Sequence, residues 1–331
     1  MSPYSHTTFF EVIALFFQRL FLLLTGQLSL ESLASDDIQI LVLIAVAASG
    51  ALVGTLLILR KMTMLANALS HTILVGIVGV YVATNSGLFE HGEGINIEAM
   101  LAAAVAMGLV TAFLTHFLTN VVKLQEDASI GLVFTTLFAL GVILVTVLTR
   151  SAHIGLEIVM GNVDALHVDD IRLVWVILLI NAVLIFLFFK EYLVTTFDPG
   201  LARALGFSTL LFDYLLMTQT SITAVGGFRA VGVLMILAFI TAPALTARLL
   251  TDNLKTLLVF AVAVGCGASI IGVAFSRHLL TVYDLPVSTS GVVVCVMIVF
   301  YGLAIVFSPG QGLIFRFLRR RKLQEQIGLN K

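Results

Sequence analysis

Two residues one helical turn apart carry the clearest chemistry in this sequence. They are Asn67 and His71, in the run Met64-Leu65-Ala66-Asn67-Ala68-Leu69-Ser70-His71-Thr72. Residues four apart share a helix face. An imidazole nitrogen and an amide oxygen on one face can hold a divalent metal if other helices add ligands. The same pair also suits a plain polar contact between helices, with His71 bonded to a neighbouring hydroxyl. A second candidate is the apolar segment 229–250, which Thr241, Pro243 and Thr246 interrupt. Pro243 removes a backbone hydrogen bond and should kink the helix. Broken helices line transport paths, but Pro is common in membrane helices that only pack. Gln219 and Thr220, in the preceding segment, are read as packing residues.

A third candidate lies outside the apolar blocks. Asp198-Pro199 reads as a helix start and Gly206 as a stop. Between them Leu201, Ala202 and Leu205 can form a small apolar face. That face suits docking onto another protein, and the rival reading is a connecting loop. The polar loop 150–171, with His153, Glu157, Asn162, Asp164, His167, Asp169 and Asp170, can collect cations, dock a partner or be merely solvated. Glu90-His91-Gly92-Glu93 has the same readings. The chain contains no G-x-x-x-x-G-K-[ST], no H-E-x-x-H and no G-x-S-x-G. It therefore has no phosphate-binding loop of its own and no visible hydrolase constellation.

The elements that must position these residues follow from composition. Of 331 residues, 60% are hydrophobic and only 11% are charged. A soluble domain carries roughly 25% charge. With 24 Phe against 5 Pro, disorder is excluded as well. A net charge of -1 argues against a nucleic-acid partner. Cys266 and Cys295 stand singly in apolar runs and are read as small apolar residues.

Crossing the hydrocarbon core takes about 20 mostly apolar residues. Nine segments qualify: 38–59, 62–84, 98–119, 130–149, 172–194, 209–227, 229–250, 256–275 and 290–308. A tenth, 8–27, contains Glu11, Gln18 and Arg19. Glu11 and Gln18 share a face, so this segment either spans or lies amphipathically on the membrane. The runs are long and continuously apolar, unlike barrel strands. The fold class is an all-α, polytopic transmembrane bundle of about 8–10 helices. We divide it into an N-terminal helix and loop (1–37), a membrane domain (38–308) and a basic tail (309–331). Gly50 and Gly54 form a G-x-x-x-G that would permit close helix packing.

Basic residues orient the bundle. Arg60, Lys61, Lys123, Lys190, Arg203, Arg248, Lys255 and the tail Arg316, Arg319, Arg320, Arg321 and Lys322 fall on one side if the helices alternate. That side is expected to be cytoplasmic. Arg150, Arg172, Arg229 and Arg277 are assigned to loops on the opposite side.

Together these stretches resemble a known family. Arg60-Lys61-Met62, then Leu65-Ala66-Asn67-Ala68-Leu69-Ser70-His71 and Gly76, is similar to "L-R-R-M … G-D-A-L-S-H … P-G". That signature belongs to metal-ion ABC transporter permeases of the manganese/zinc/iron class, the ABC-3 family. Gly161-Asn162 resembles its "F-G-N" loop, and Asp198…Ala202…Leu205-Gly206 its cytoplasmic helix. Val231-Gly232-Val233-Leu234 through Thr241-Ala242-Pro243-Ala244 resembles its "V-G-x-L-L … P-A-A-T-A" helix. Asp284-Leu285-Pro286 before Ser290-Gly291 resembles the approach to its last helix. The likeness spans 38–308 in the family's order.

The resemblance implies a permease for a divalent Mn, Zn or Fe ion in a bacterial inner membrane, with no permanently bound cofactor. It implies a second permease subunit, identical or related, cytoplasmic ABC ATPase subunits and an extracytoplasmic metal-binding protein. His71 would be a metal ligand in the path, and the 198–206 helix would couple to the ATPase. The sequence departs from the signature at Asn67, where the family has Asp, and at Val75, where it has Pro. Asn67 offers one neutral oxygen, so the site would be less anionic. Two alternatives stay open. A permease for a metal chelate of siderophore or cobalamin type needs no direct ligand such as His71. An ATP-independent secondary transporter would need intramembrane acids, which the apolar segments almost lack.

Overall fold

The computed structural model describes residues 3–4, 7–29, 32–62, 64, 68, 72, 75–76, 78–79, 97–149, 163–308 and 312. Among the described residues the chain is built from α-helices with no strand. In chain order they are α1 (Phe9–Leu24), α2 (Ser35–Leu59), α3 (Ile97–Asn120), α4 (Glu126–Thr149), α5 (Val168–Leu187), α6 (Phe189–Phe197), α7 (Pro199–Ala204), α8 (Thr209–Val231), α9 (Val233–Leu250), α10 (Leu254–Tyr283) and α11 (Thr289–Phe307). A single 3-10 turn, Val163–Ala165, precedes α5. Six of the described helices are long and apolar enough to cross a membrane: α2, α4, α5, α9, α10 and α11. The chain is a multi-pass membrane protein. Most of the expected 62–84 segment lies outside the described residues.

Helix α2 is the axis of the bundle. It is apolar all round, and a helix of that kind is stable only when buried on every side. Nearly all of it from Asp36 to Ile58 is buried, with α5, α8, α9 and α10 packed around it. By contrast α4 and α11 expose most of their apolar surface, as expected where lipid is the neighbour. Helix α8 matches the others in length but carries Asp213, Thr218, Gln219, Thr220, Ser221 and Thr223, so its hydropathy is lower. Its polar side chains are sheltered between α2 and α3.

The G-x-x-x-G of α2 sits against α9. A Cβ on Gly50 would stand 3.3 Å from the Phe239 carbonyl, and one on Gly54 only 1.8 Å from the Ile240 oxygen. Pro243 lies inside α9. Having no N–H, it leaves the carbonyl four residues back, on Phe239, without its helical donor. The glycine face of α2 covers that carbonyl.

Several boundaries differ from the sequence reading. The 172–194 segment is two helices, with Phe188 breaking the run between α5 and α6. Helix α5 also starts earlier. His167 caps it, its N–H donating to Asp170 Oδ2 at 2.9 Å, so Asp169 and Asp170 belong to a first helical turn and not to a loop. Acidic residues there favour the helix dipole. The break between α8 and α9 falls at Gly232, with φ +81°, and Arg229 lies within α8. Helix α10 runs to Tyr283, so Arg277, expected in a loop, is helical.

Helix α1 is 16 residues long, short of a span. Val12 packs with Tyr4 and with Ala274 of α10. Phe16, Arg19, Leu20 and Leu23 meet Leu33, Asp37 and Leu41. Among the described residues, α1 touches the first turns of α2, the loop before it and the far part of α10. It lies across their ends, as an amphipathic helix would, with Phe10, Phe17, Phe21 and Leu24 facing outward. Thr8 N–H donates to Glu11 at 2.7 Å, and this backbone bond holds the Glu11 carboxyl below its ordinary pKa.

Candidate functional site

A line of hydroxyls runs between α3 and α8. Thr72, next in sequence to His71, stands with its hydroxyl 3.1 Å from Thr111 Oγ1. One turn on, Thr115 is buried, and its hydroxyl has no hydrogen-bond partner among the described residues. Beyond it a cavity of about 290 Å³ opens at the end of the bundle that carries Arg60 and Lys61. Met62, Thr115, His116, Asn120, Arg203 and Asp213 are among its walls. Asn120 Nδ2 stands 2.9 Å from His116 Nδ1, which orients the ring.

Arg60 closes one side of this region. Its guanidinium is almost fully buried and ion-paired with Asp213. It also donates to Thr195 Oγ1 at 2.7 Å and Thr196 Oγ1 at 3.1 Å, and it lies over the Tyr192 ring at 5.7 Å. Tyr192 in turn donates to Gln219 Oε1 at 2.6 Å. One cation thus ties the end of α2 to α6 and α8. A buried charge held by a carboxylate and two hydroxyls is satisfied, and losing any one partner is costly.

At the opposite end a second cavity, of about 250 Å³, is lined by Asp36, Gln39, Asp164, Ser276, Arg277 and Thr289 among others. Arg277 Nε donates to Asp36 at 2.7 Å, and Thr289 donates to Asp164 at 2.8 Å. Between the two cavities, Asn181 Nδ2 donates to Ser49 Oγ and Thr223 Oγ1, both at 2.6 Å. This buried clasp joins α5, α2 and α8 midway through the bundle.

The 198–206 segment folds as the short helix α7. Asp198 Oδ1 accepts from Leu201 N–H at 2.9 Å, and Pro199 takes the first helical position. At the other end Gly206, at φ +85°, allows Phe207 N–H to reach the Ala202 carbonyl at 2.9 Å and Gly206 N–H to reach Arg203. This is a Schellman close. The expected apolar face divides. Leu201 and Leu205 are 49% and 57% exposed, whereas Ala202 is fully buried against its own chain. At helical spacing 201 and 205 share a face and 202 turns a hundred degrees away, so of these three the two leucines are the ones open to a partner.

Asn67 and His71 lie outside the described residues. Thr241 and Pro243 line neither cavity; Thr241 donates to its own helix at Leu237 O, 2.8 Å, and Pro243 is buried within α9. Among the described residues, no group of three or more His, Cys, Asp or Glu is placed to hold a metal. Arg60, His116 and Asp213 come from separate segments, and no spacing in the sequence joins them. His116 could have been marked, because it stands inside the apolar 98–119 run. Asn181 gave the same signal within 172–194.

Known proteins match this architecture closely. The ABC 3 transport family matches residues 38–308. A "Probable metal transport system membrane protein" of Chlamydia trachomatis is 41% identical over 93% of this chain and 94% of its own. The "Manganese transport system membrane protein MntD" of Bacillus subtilis is 36% identical over 86% and 95%. Among solved structures, "PsaBC from Streptococcus pneumoniae in complex with Fab" superposes with a TM-score of 0.71 at 26% identity, covering 88% of this chain and 97% of that one. The family's span coincides with the membrane bundle built around α2, and on that match the chain belongs to the ABC 3 transport family.

Proposed function

We propose that this chain is the permease subunit of an ABC importer that carries a divalent transition metal, Mn, Zn or Fe, into the cytoplasm. The family match across the whole bundle carries this reading, and the relatives' names favour manganese as cargo. The membrane is the bacterial inner membrane. ATP is hydrolysed on partner ATPase subunits, which dock on Leu201 and Leu205 of α7. A second permease, identical or related, completes the path, and an extracytoplasmic metal-binding protein delivers the ion to the Asp36–Asp164 end. Residues 1–37 form the peripheral helix and loop, 38–308 the permease domain and 309–331 a cytoplasmic tail.

His71, assisted by Asn67, is the ligand pair of the path. Thr72 supports this placement, since it heads the hydroxyl line that ends in the inner cavity. Thr241 and Pro243 give α9 a deformable point beside α2. Binding at the pair must be moderate, or the ion would not leave.

Uptake of radiolabelled manganese tests this, in cells expressing the chain with its ATPase and binding protein. His71→Ala should abolish uptake at normal membrane levels. Asn67→Asp should tighten binding and slow release. Full uptake by His71→Ala would remove the ligand assignment; no uptake of any of the three metals by wild type would remove the cargo.

A further inference from the structure

The inner cavity contains donors that the pair at 67 and 71 does not explain. Helix α3 carries three threonines at successive turns. Thr111 donates to the Met107 carbonyl at 2.8 Å, and Thr119 to the Thr115 carbonyl at 2.9 Å. This is how a hydroxyl inside an apolar helix is ordinarily satisfied. Thr115 breaks the pattern. It is 3% exposed, its hydroxyl has no partner among the described residues, and it lines the cavity. Leaving a buried hydroxyl unpaired costs about 1–3 kcal/mol. The Thr115 side chain borders the cavity, and a turn about χ1 brings its unpaired hydroxyl to an ion that enters.

What enters can be read from the other walls. His116 of α3 supplies an imidazole to the cavity wall, and Asp213 of α8 a carboxylate to the same wall. Asn120 Nδ2 stands over the ring, 2.9 Å from Nδ1 and 3.4 Å from Nε2, so a metal ligated by His116 has only this amide contact to displace. Imidazole, carboxylate and hydroxyl together suit a first-row divalent cation with water completing its shell. Two strong donors are too few for a resident metal, which agrees with the lack of any larger ligand cluster among the described residues. They are enough for an ion in passage.

Arg60 supplies the other half of the argument. It already holds Asp213 and is itself fixed by Thr195, Thr196 and the Tyr192 ring. A cation arriving at Asp213 must share the carboxylate with a guanidinium that cannot move away. The affinity is thereby kept low, and the ion pair re-forms once the ion departs. Resting on the reading of the chain as a metal permease, we propose that His116, Asp213 and Thr115 form a release station for the transported divalent metal at the inner end of the path, with Arg60 setting its weakness.

The test uses the complete transporter in cells, in a parent carrying Cys266→Ala and Cys295→Ala. Adding His116→Cys replaces an imidazole by a soft thiolate, which favours cadmium. Manganese uptake should then be blocked by cadmium at concentrations that leave the parent unaffected, a shift of about tenfold or more in the inhibitory concentration. Asp213→Asn, added to His116→Cys, should reverse much of that shift. A purely structural role for His116 would lower the amount of protein and leave cadmium sensitivity unchanged. In purified complex, Arg60→Gln should retain manganese through washing that strips wild type, and His116→Ala should cancel the retention. Wild-type manganese uptake with no cadmium shift overturns the release station alone. Absence of metal uptake by wild type overturns the permease reading and the station with it.

Discussion

Gly54 of α2 lies under the backbone of Ile240 in α9, so close that a Cβ would stand 1.8 Å from the Ile240 oxygen. Gly50, one turn earlier, faces Phe239 at 3.3 Å. Pro243 has freed the Phe239 carbonyl from its helical bond, and in a membrane no water can replace that bond. The glycines let their Cα–H groups approach those oxygens, a weak interaction that repeats at close helix crossings. Proline and glycine pair are therefore one device.

Gly54→Ala should force the two helices apart. Overpacking costs about 1–3 kcal/mol, and the lost contact to the freed carbonyl adds to it. The melting temperature of the detergent-solubilised protein should fall clearly. Gly50→Ala should fall less, because a shift of a few tenths of an ångström relieves it. Equal effects at both positions would mean that the crossing is looser than the structure has it.

The ion pair of Asp36 and Arg277 is the second target. Asp36 is 1% exposed, and Arg277 is its ion-pair partner. Removing one member strands a buried charge, at about 3–5 kcal/mol, with the lower end fitting because Arg277 is partly exposed. Arg277→Ala should thus destabilise strongly. Asp36→Asn combined with Arg277→Gln should recover much of the loss, as measured by thermal unfolding. A double variant as unstable as Arg277→Ala would show that the charges themselves are not the cause.

The same pair shows where sequence reading stops. The existence of the apolar helices was legible, because twenty-residue apolar runs have few other fates. A charge after an apolar run ordinarily marks a loop, which is what the sequence predicts for Arg277. The chain instead continues the helix and supplies Asp36 from 241 positions away. Likewise Phe188 carries no breaker signal, yet it separates α5 from α6. The start and stop of α7 were legible because Asp-Pro and Gly act locally. Its buried face was not, since Ala202, Leu201 and Leu205 are all apolar and only the fold decides which is covered. His116 and Asp213 meet through tertiary packing alone.

The clasp of Asn181 with Ser49 and Thr223 gives a third prediction. Polar contacts between membrane helices average about 0.6 kcal/mol and reach about 1.7. Asn181 makes two at 2.6 Å, so Asn181→Ala should cost near the upper figure in unfolding free energy. Ser49 and Thr223 remain in contact with each other at 3.2 Å, which limits the loss. Uptake per folded molecule should persist. A collapse of uptake at full stability would move Asn181 from packing into the path.

On the docking role proposed for α7, folding and docking can be separated, because its apolar residues face two ways. Leu201→Asp and Leu205→Asp alter exposed positions and should leave the unfolding free energy within about 0.5 kcal/mol of wild type. Both should abolish association with the ATPase subunit, and with it manganese uptake. Ala202→Asp puts a carboxylate into a fully buried site, where an unpaired charge has no compensation. It should reduce the amount of folded protein whether or not an ATPase is present. Gly206→Val tests the turn that follows, since φ +85° is strained for a β-branched residue. It should loosen α7 and weaken docking while the membrane helices stay intact. Co-purification of the ATPase with each variant, beside thermal unfolding of the chain alone, reads both effects. Retained ATPase binding by the Leu201→Asp, Leu205→Asp double variant would place the docking surface elsewhere on the molecule.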